Sequence, residues 1–293
     1  MTQFRGVGTA LITPFAEDGS LDEAALTKFV DWQIAEGINF VVPCGTTGEN
    51  PTLTADEHRR VVELTVKAAK GRVPVLAGAG SNSTPRAVEL AQQAADLGAD
   101  GILTITPYYN KPTPDGLLRH FSAQAEALEK KRSGFPMIMY NVPARTGLNM
   151  TAETTLRLAR EIPGIVGVKE ASANMEQILT ILRERAEGFL VLSGDDAWTL
   201  PLLGCGADGV ISVASNEVPR LMRQLVDTRD VAIHNRLLPL LTGNFLESNP
   251  GPVKAALKMM GVLGSDTLRP PLAPMTEANR TRLREILQEC RLL

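Results

Sequence analysis

A chain of 293 residues with 44% hydrophobic and 22% charged residues and a formal net charge of −3 has the composition of an ordinary globular protein with a large core. That mild negative balance supplies no basic field for nucleic acid, and no apolar run approaches the roughly 18 residues of a membrane span. Cys44, Cys205 and Cys290 are too few and too widely spaced for a disulfide framework. Met1-Thr2-Gln3-Phe4-Arg5 lacks the charged and apolar regions of a secretory leader, so a bacterial-type cytoplasm is the expected setting.

In chain order, residues 7–13 predict a first strand closed by Pro14. Asp22 caps a helix to about residue 36, with Leu26, Phe29, Val30 and Ile34 on one face. Residues 38–43 predict strand two and 55–70 a helix ended by Gly71. Strand three falls at 73–77, a helix at 85–97, strand four at 101–106 and a helix at 115–131. Strand five is 135–140, followed by a helix at 151–161, and strand six is 164–169, followed by a helix at 175–186. Strands seven and eight are 189–193 and 209–213. Length alone suggests two domains, but a closed α/β barrel commonly takes about 200–250 residues as one. Eight short apolar strands, each followed by a helical segment, predict a (β/α)8 TIM barrel. A doubly wound sheet usually has fewer strands and a phosphate loop after the first. The barrel is expected over 1–226, with a C-terminal helical appendage over 227–293 broken at Pro239, at Asn249-Pro250-Gly251-Pro252 and at Pro270-Pro271. The segment Gly204-Cys205-Gly206-Ala207-Asp208-Gly209 matches a dinucleotide fingerprint by letter. It follows a helix and opens a strand, the reverse of what a pyrophosphate at a helix N-terminus needs, so it reads as a loop.

Active sites of such barrels lie at the carboxyl ends of the strands. Strand six ends at Lys169, against a wall expected to be dry, where desolvation lowers a lysine pKa and frees its lone pair for attack on a carbonyl. A lysine snorkelling to solvent is the bland alternative. Strand two ends in Thr46-Thr47-Gly48-Glu49, whose glycines let backbone N–H groups approach an anion, or which form a plain turn. Tyr140 closes strand five, and its buried phenol needs a partner, as a packed core tyrosine or as a proton relay. Arg145, on a Pro- and Gly-bounded loop, can clamp a carboxylate in bidentate fashion or simply face solvent. Tyr108-Tyr109-Asn110 ends strand four, with packing at a subunit contact as the alternative. Asp195 and Asp196, without nearby His or Cys in sequence, favour capping over metal. A lysine, a tyrosine, paired threonines and an arginine at neighbouring strand ends suit imine chemistry on a small keto acid. No metal or organic cofactor is required, because the protonated imine is itself the electron sink.

Gly8-Thr9-Ala10 through Pro14-Phe15, Gly45-Thr46-Thr47-Gly48-Glu49, Tyr108-Tyr109-Asn110-Lys111-Pro112, Tyr140-Asn141-Val142-Pro143 with Arg145-Thr146-Gly147, Lys169-Glu170-Ala171 and Ser193-Gly194-Asp195-Asp196 span essentially the whole chain. Together they resemble the class I pyruvate-dependent aldolase superfamily, and within it most closely the dihydrodipicolinate synthase (4-hydroxy-tetrahydrodipicolinate synthase) family. The resemblance implies a lyase that condenses pyruvate with aspartate semialdehyde through a Schiff base on Lys169. It implies a relay of Tyr140, Thr46 and Tyr109, the last reaching in from a neighbouring subunit of a homotetramer. It also implies that the Thr46 and Thr47 amides hold the pyruvate carboxylate, Arg145 binds the second substrate, and Gly194 and Ile211 line the pocket. N-acetylneuraminate lyase and other sugar-acid aldolases share the lysine, tyrosine and Thr-Thr turn; Arg145 is what sets the chain apart from them. Lysine-inhibited relatives bind the effector at a dimer interface through polar, His and Glu residues. The corresponding positions here are Asn50, Pro51, Ala55, His58, Asn82, Arg86 and Tyr108. Arg86 would repel the ligand's ammonium, which implies weak or absent lysine feedback.

Overall fold

Capping residues and breakers cut the chain where its apolar runs end. In the computed structural model, which describes residues 3–293, Asp22 caps the helix Glu23–Ala35 by accepting from the Ala25 N–H at 2.9 Å. Thr54 and Glu57 form a reciprocal capping box at the head of Ala55–Ala69. Met1 and Thr2, which begin the stretch read for a leader, lie outside the described residues. The strands are β1 (Gly6–Ala10), β2 (Phe40–Val42), β3 (Leu76–Gly78), β4 (Gly101–Ile105), β5 (Met137–Asn141), β6 (Ile165–Glu170), β7 (Leu190–Ser193) and β8 (Gly209–Ser212). They are parallel, in the order β2-β1-β8-β7-β6-β5-β4-β3. A Val41–Val75 bridge and the Gly78 N–H donating to the Pro43 carbonyl at 2.9 Å join β2 to β3, so the sheet closes into a TIM barrel.

Phe4, Phe40, Leu76, Leu103, Ile138 and Leu190 fill the barrel. Phe4 meets Phe40 edge-on, with centroids 5.6 Å apart. Gly8 makes room for that layer: a Cβ there would sit 2.1 Å from the Phe40 ring. A larger apolar shell joins the outer strand faces to the helices, and it includes Leu237, Val253, Leu257, Leu283 and Leu287 from the C-terminal region.

The structure corrects several boundaries. β1 ends at Ala10: the Leu11 N–H makes the last bond, to the Val42 carbonyl at 3.0 Å, and beyond it side chains take over the hydrogen bonding. The Ile12 N–H donates to Asn216 Oδ1 at 3.1 Å and the Thr13 hydroxyl to the Gly48 carbonyl at 2.7 Å. β6 runs one residue past Lys169, since Glu170 still pairs with Asn141 and Ser193. Its buried carboxylate accepts from the Ser172 N–H at 2.7 Å and from Gln177 Nε2 at 3.1 Å. Lys70, at φ 49°, is the left-handed residue that caps the second helix, one position before Gly71. Pro239 does not break the chain. The helix Val231–Gly243 passes through it, held across the lost N–H by Leu237, Leu240 and Leu241, all buried in the core. The fingerprint-like letters run from the end of the helix Thr199–Gly204 into β8, and so form a loop.

Candidate active site

Lys169 lies next to Tyr140 across the β5–β6 ladder and next to Leu192 across β6–β7. It is 6% exposed, and its Nζ sits 4.4 Å from the Tyr140 ring centroid. Burial pushes the ammonium down to about 8; Arg145 acts in the same sense and the Asp196 carboxylate opposes it. Gly194 shapes the approach. Its N–H donates to the Glu170 carbonyl at 2.8 Å, and a Cβ on it would lie 2.6 Å from Ala171 Cβ and 3.1 Å from Lys169 Cε. Ile211 on β8 belongs to the same inner apolar cluster as Tyr140. Asp196 is buried and caps a 3-10 turn remote in sequence. Its Oδ2 accepts from the Val213 and Ala214 N–H groups at 2.9 and 2.8 Å, while Asp195 Oδ1 accepts from the Ala197 N–H at 2.9 Å.

Burial raises the Tyr140 phenol to about 12, with Arg145 and the Thr46 hydroxyl pulling the other way. Thr46, Tyr140 and Arg145 share the wall of a cavity of about 380 Å³. Lys169 is not on that wall but touches it through the Tyr140 ring. Tyr109 does not join this group within the chain. It is 88% exposed, at φ 72°, with its N–H donating to the Thr146 carbonyl at 3.3 Å. Holding a tyrosine there costs on the order of 1–3 kcal/mol.

The turn after β2 is tightly built. Cys44 and Glu49 bracket it at φ 56° and 54°, and the Gly48 and Glu49 N–H groups donate back to Gly45 and Thr46, each at 3.1 Å. Among the described residues the Thr46 and Thr47 N–H groups have no protein acceptor. Two residues that the sequence reading passed over hold this turn. Asn249 Nδ2 donates to Thr47 Oγ1 at 3.0 Å, and the Lys254 ammonium pairs with the Glu49 carboxylate, both wholly buried. The signal was present in Val253-Lys254-Ala255-Ala256-Leu257, where a lysine interrupts an otherwise apolar helical run.

Residues 3–290 match the model of the family described as "Dihydrodipicolinate synthetase family". The chain belongs to that family. The 4-hydroxy-tetrahydrodipicolinate synthase of Koribacter versatilis (strain Ellin345) is 50% identical over 299 residues, covering 99% of this chain and 97% of its own. The synthase of the same name from Oleidesulfovibrio alaskensis is 52% identical over 292 residues, covering 97% and 98%. The crystal structure of dihydrodipicolinate synthase from Thermotoga maritima superposes with a TM-score of 0.94 at 42% identity, covering 99% of this chain and 100% of that one. Of the positions compared above with lysine-inhibited relatives, Asn50, Pro51, His58, Arg86 and Tyr108 line the same cavity. Asn82 instead offers its carbonyl to Asn110 Nδ2 at 2.9 Å. His58 Nε2 bonds the Gly78 carbonyl at 2.9 Å, burial lowers its pKa, and Arg86 pairs with Glu89 at 3.0 Å.

Proposed function

We propose that this chain is the lyase that joins pyruvate to L-aspartate 4-semialdehyde, giving 4-hydroxy-tetrahydrodipicolinate on the diaminopimelate route to lysine. The observation that carries the reading is the dry Lys169 amine against the Tyr140 ring, in a chain about half identical to enzymes of that name. With a pKa of about 8, roughly a tenth of the amine is free at pH 7, against roughly one part in 2,500 for an unperturbed lysine. Lys169 Nζ bonds the keto carbon and water leaves, giving a protonated imine. Loss of a methyl proton makes the enamine, whose carbon attacks the aldehyde. The substrate's own amine then displaces Lys169 and closes the ring. The free N–H groups of Thr46 and Thr47 hold the pyruvate carboxylate. Tyr140, a neutral phenol at working pH because burial raises its pKa to about 12, passes protons with Thr46. Arg145 takes the second substrate's carboxylate, while Gly194 and Ile211 shape the pocket around the imine.

Borohydride with pyruvate should therefore fix one covalent adduct on the Lys169 peptide; an unmodified Lys169 sinks the proposal. Aspartate semialdehyde should be turned over and sialic acid left uncleaved. The reverse outcome would place the chain with N-acetylneuraminate lyase, in which the charge of Arg145 has no second carboxylate to pair with. Because Lys169 must lose its proton first, kcat/KM for pyruvate is expected to rise about tenfold per pH unit and to level near pH 8. A plateau reached only near pH 10 would mean a solvated lysine.

The same reading carries a cytoplasmic homotetramer, a dimer of dimers in which Tyr109 of one copy completes the relay of another; its exposure and its held, strained backbone support that. Lysine is expected to inhibit weakly or not at all, since Arg86 puts a cation where the effector's ammonium has to be received. Strong inhibition at low lysine concentration in a steady-state titration would overturn this.

A further inference from the structure

The turn that presents Thr46 and Thr47 is held from outside the barrel. Asn249 lies between the helices Val231–Gly243 and Gly251–Met259, is buried, and donates from Nδ2 to Thr47 Oγ1 at 3.0 Å. A threonine hydroxyl has one hydrogen and two lone pairs. With a lone pair taken by the amide, the hydrogen points elsewhere, and among the described residues it has no acceptor. Thr47 is 2% exposed, so the free protein holds a desolvated O–H donor beside the unpaired N–H groups of Thr46 and Thr47. A buried donor left unpaired costs about 1–3 kcal/mol, and a carboxylate placed against these donors relieves that cost through charge-assisted bonds.

Building on the keto-acid chemistry above, we propose that Asn249 is a positioning residue: by occupying the acceptor side of the Thr47 hydroxyl, it turns that O–H toward the substrate carboxylate. The C-terminal segment thereby supplies part of the recognition of a 2-oxo acid. Its place is fixed from both sides. Lys254, five residues on, is paired with Glu49 at the end of the same turn, and the Arg269 N–H donates to Glu49 Oε2 at 3.1 Å.

Steady-state kinetics of Asn249→Ala and Asn249→Asp, in the native and in the Thr47→Val background, test this. Asn249→Ala should raise the pyruvate KM about tenfold, leaving kcat and the aldehyde KM within about twofold. Asn249→Asp should do worse, because its carboxylate accepts the hydroxyl's proton and repels the substrate. Being the same size, it carries the test if the alanine variant does not fold. In Thr47→Val the hydroxyl is gone, so adding Asn249→Ala should raise the pyruvate KM no further, while adding Asn249→Asp should raise it less than in the native background, leaving only the charge repulsion. An unchanged KM in Asn249→Ala, or an equal rise in both backgrounds, overturns the role. Borohydride trapping of the native protein separates the two failures: no adduct removes the keto-acid reading, whereas an adduct with an unchanged Asn249→Ala KM removes only the role of Asn249.

Discussion

Lys169→Met should lose the pyruvate adduct entirely and lower turnover by roughly 10³-fold or more, because no other amine can take the nucleophile's place. The same variant is expected to melt higher than the native protein. The folded amine, at about 8, lies below its unfolded value, so the buried ammonium costs stability below pH 8, and the cost fades as pH rises through the unfolded pKa near 10.4. The shift corresponds to ~3 kcal/mol at neutral pH. Methionine fills the same space without that penalty, so thermal denaturation at pH 7 should show a gain of a few degrees that shrinks by pH 10. Equal melting temperatures at both pH values would mean that Lys169 is solvated and that the nucleophile is not desolvated as described. Activity and stability are thus expected to move in opposite directions at this one position, as at other sites where function stores unfavourable energy.

Lys254→Met should do the reverse and damage stability first. The Lys254 and Glu49 side chains are 1% and 0% exposed, so removing the ammonium strands a buried carboxylate, which costs about 3–5 kcal/mol. That is a fall of order 10 °C in melting temperature for a chain of this size. The double change Glu49→Met with Lys254→Met should recover most of it, since two apolar groups need no pairing. A loss below about 1 kcal/mol would show that the pair behaves as a surface ion pair. The pyruvate KM should rise as well. Glu49 closes the turn that presents Thr46 and Thr47, and its second oxygen accepts from the Arg269 N–H at 3.1 Å. Phe15 packs against both cations, with Lys254 Nζ 4.3 Å and the Arg269 guanidinium 4.2 Å from its ring centroid.

The barrel was legible because its strands are buried on both faces and therefore read as short unbroken apolar runs between breakers. Lys169, Tyr140 and the Thr46-Thr47 turn stood out for the same reason: each is a polar interruption at the end of such a run. Where strands stop was less legible. Residues 11–13 are as apolar as β1, but the ladder ends with the Leu11 N–H on Val42, because Asn216 and Gly48, distant in sequence, take the hydrogen bonds of Ile12 and Thr13. Pro239 misled for the opposite reason, since a local helix breaker was outweighed by the burial of Leu237, Leu240 and Leu241.

Hydrophobic period, caps and the few polar residues set into apolar runs are local properties, and from them alone the sequence determined the alternation of strands and helices and marked Lys169 as the lysine at the end of a buried strand. Only the tertiary structure decided that the C-terminal helices reach back to the Thr46-Thr47 turn through Asn249 and Lys254. It also decided that Tyr109 faces away from the Tyr140 and Thr46 of its own chain. Both depend on contacts across more than two hundred residues or on the direction a loop leaves a strand, and no periodicity in a single chain records a pairing at that distance.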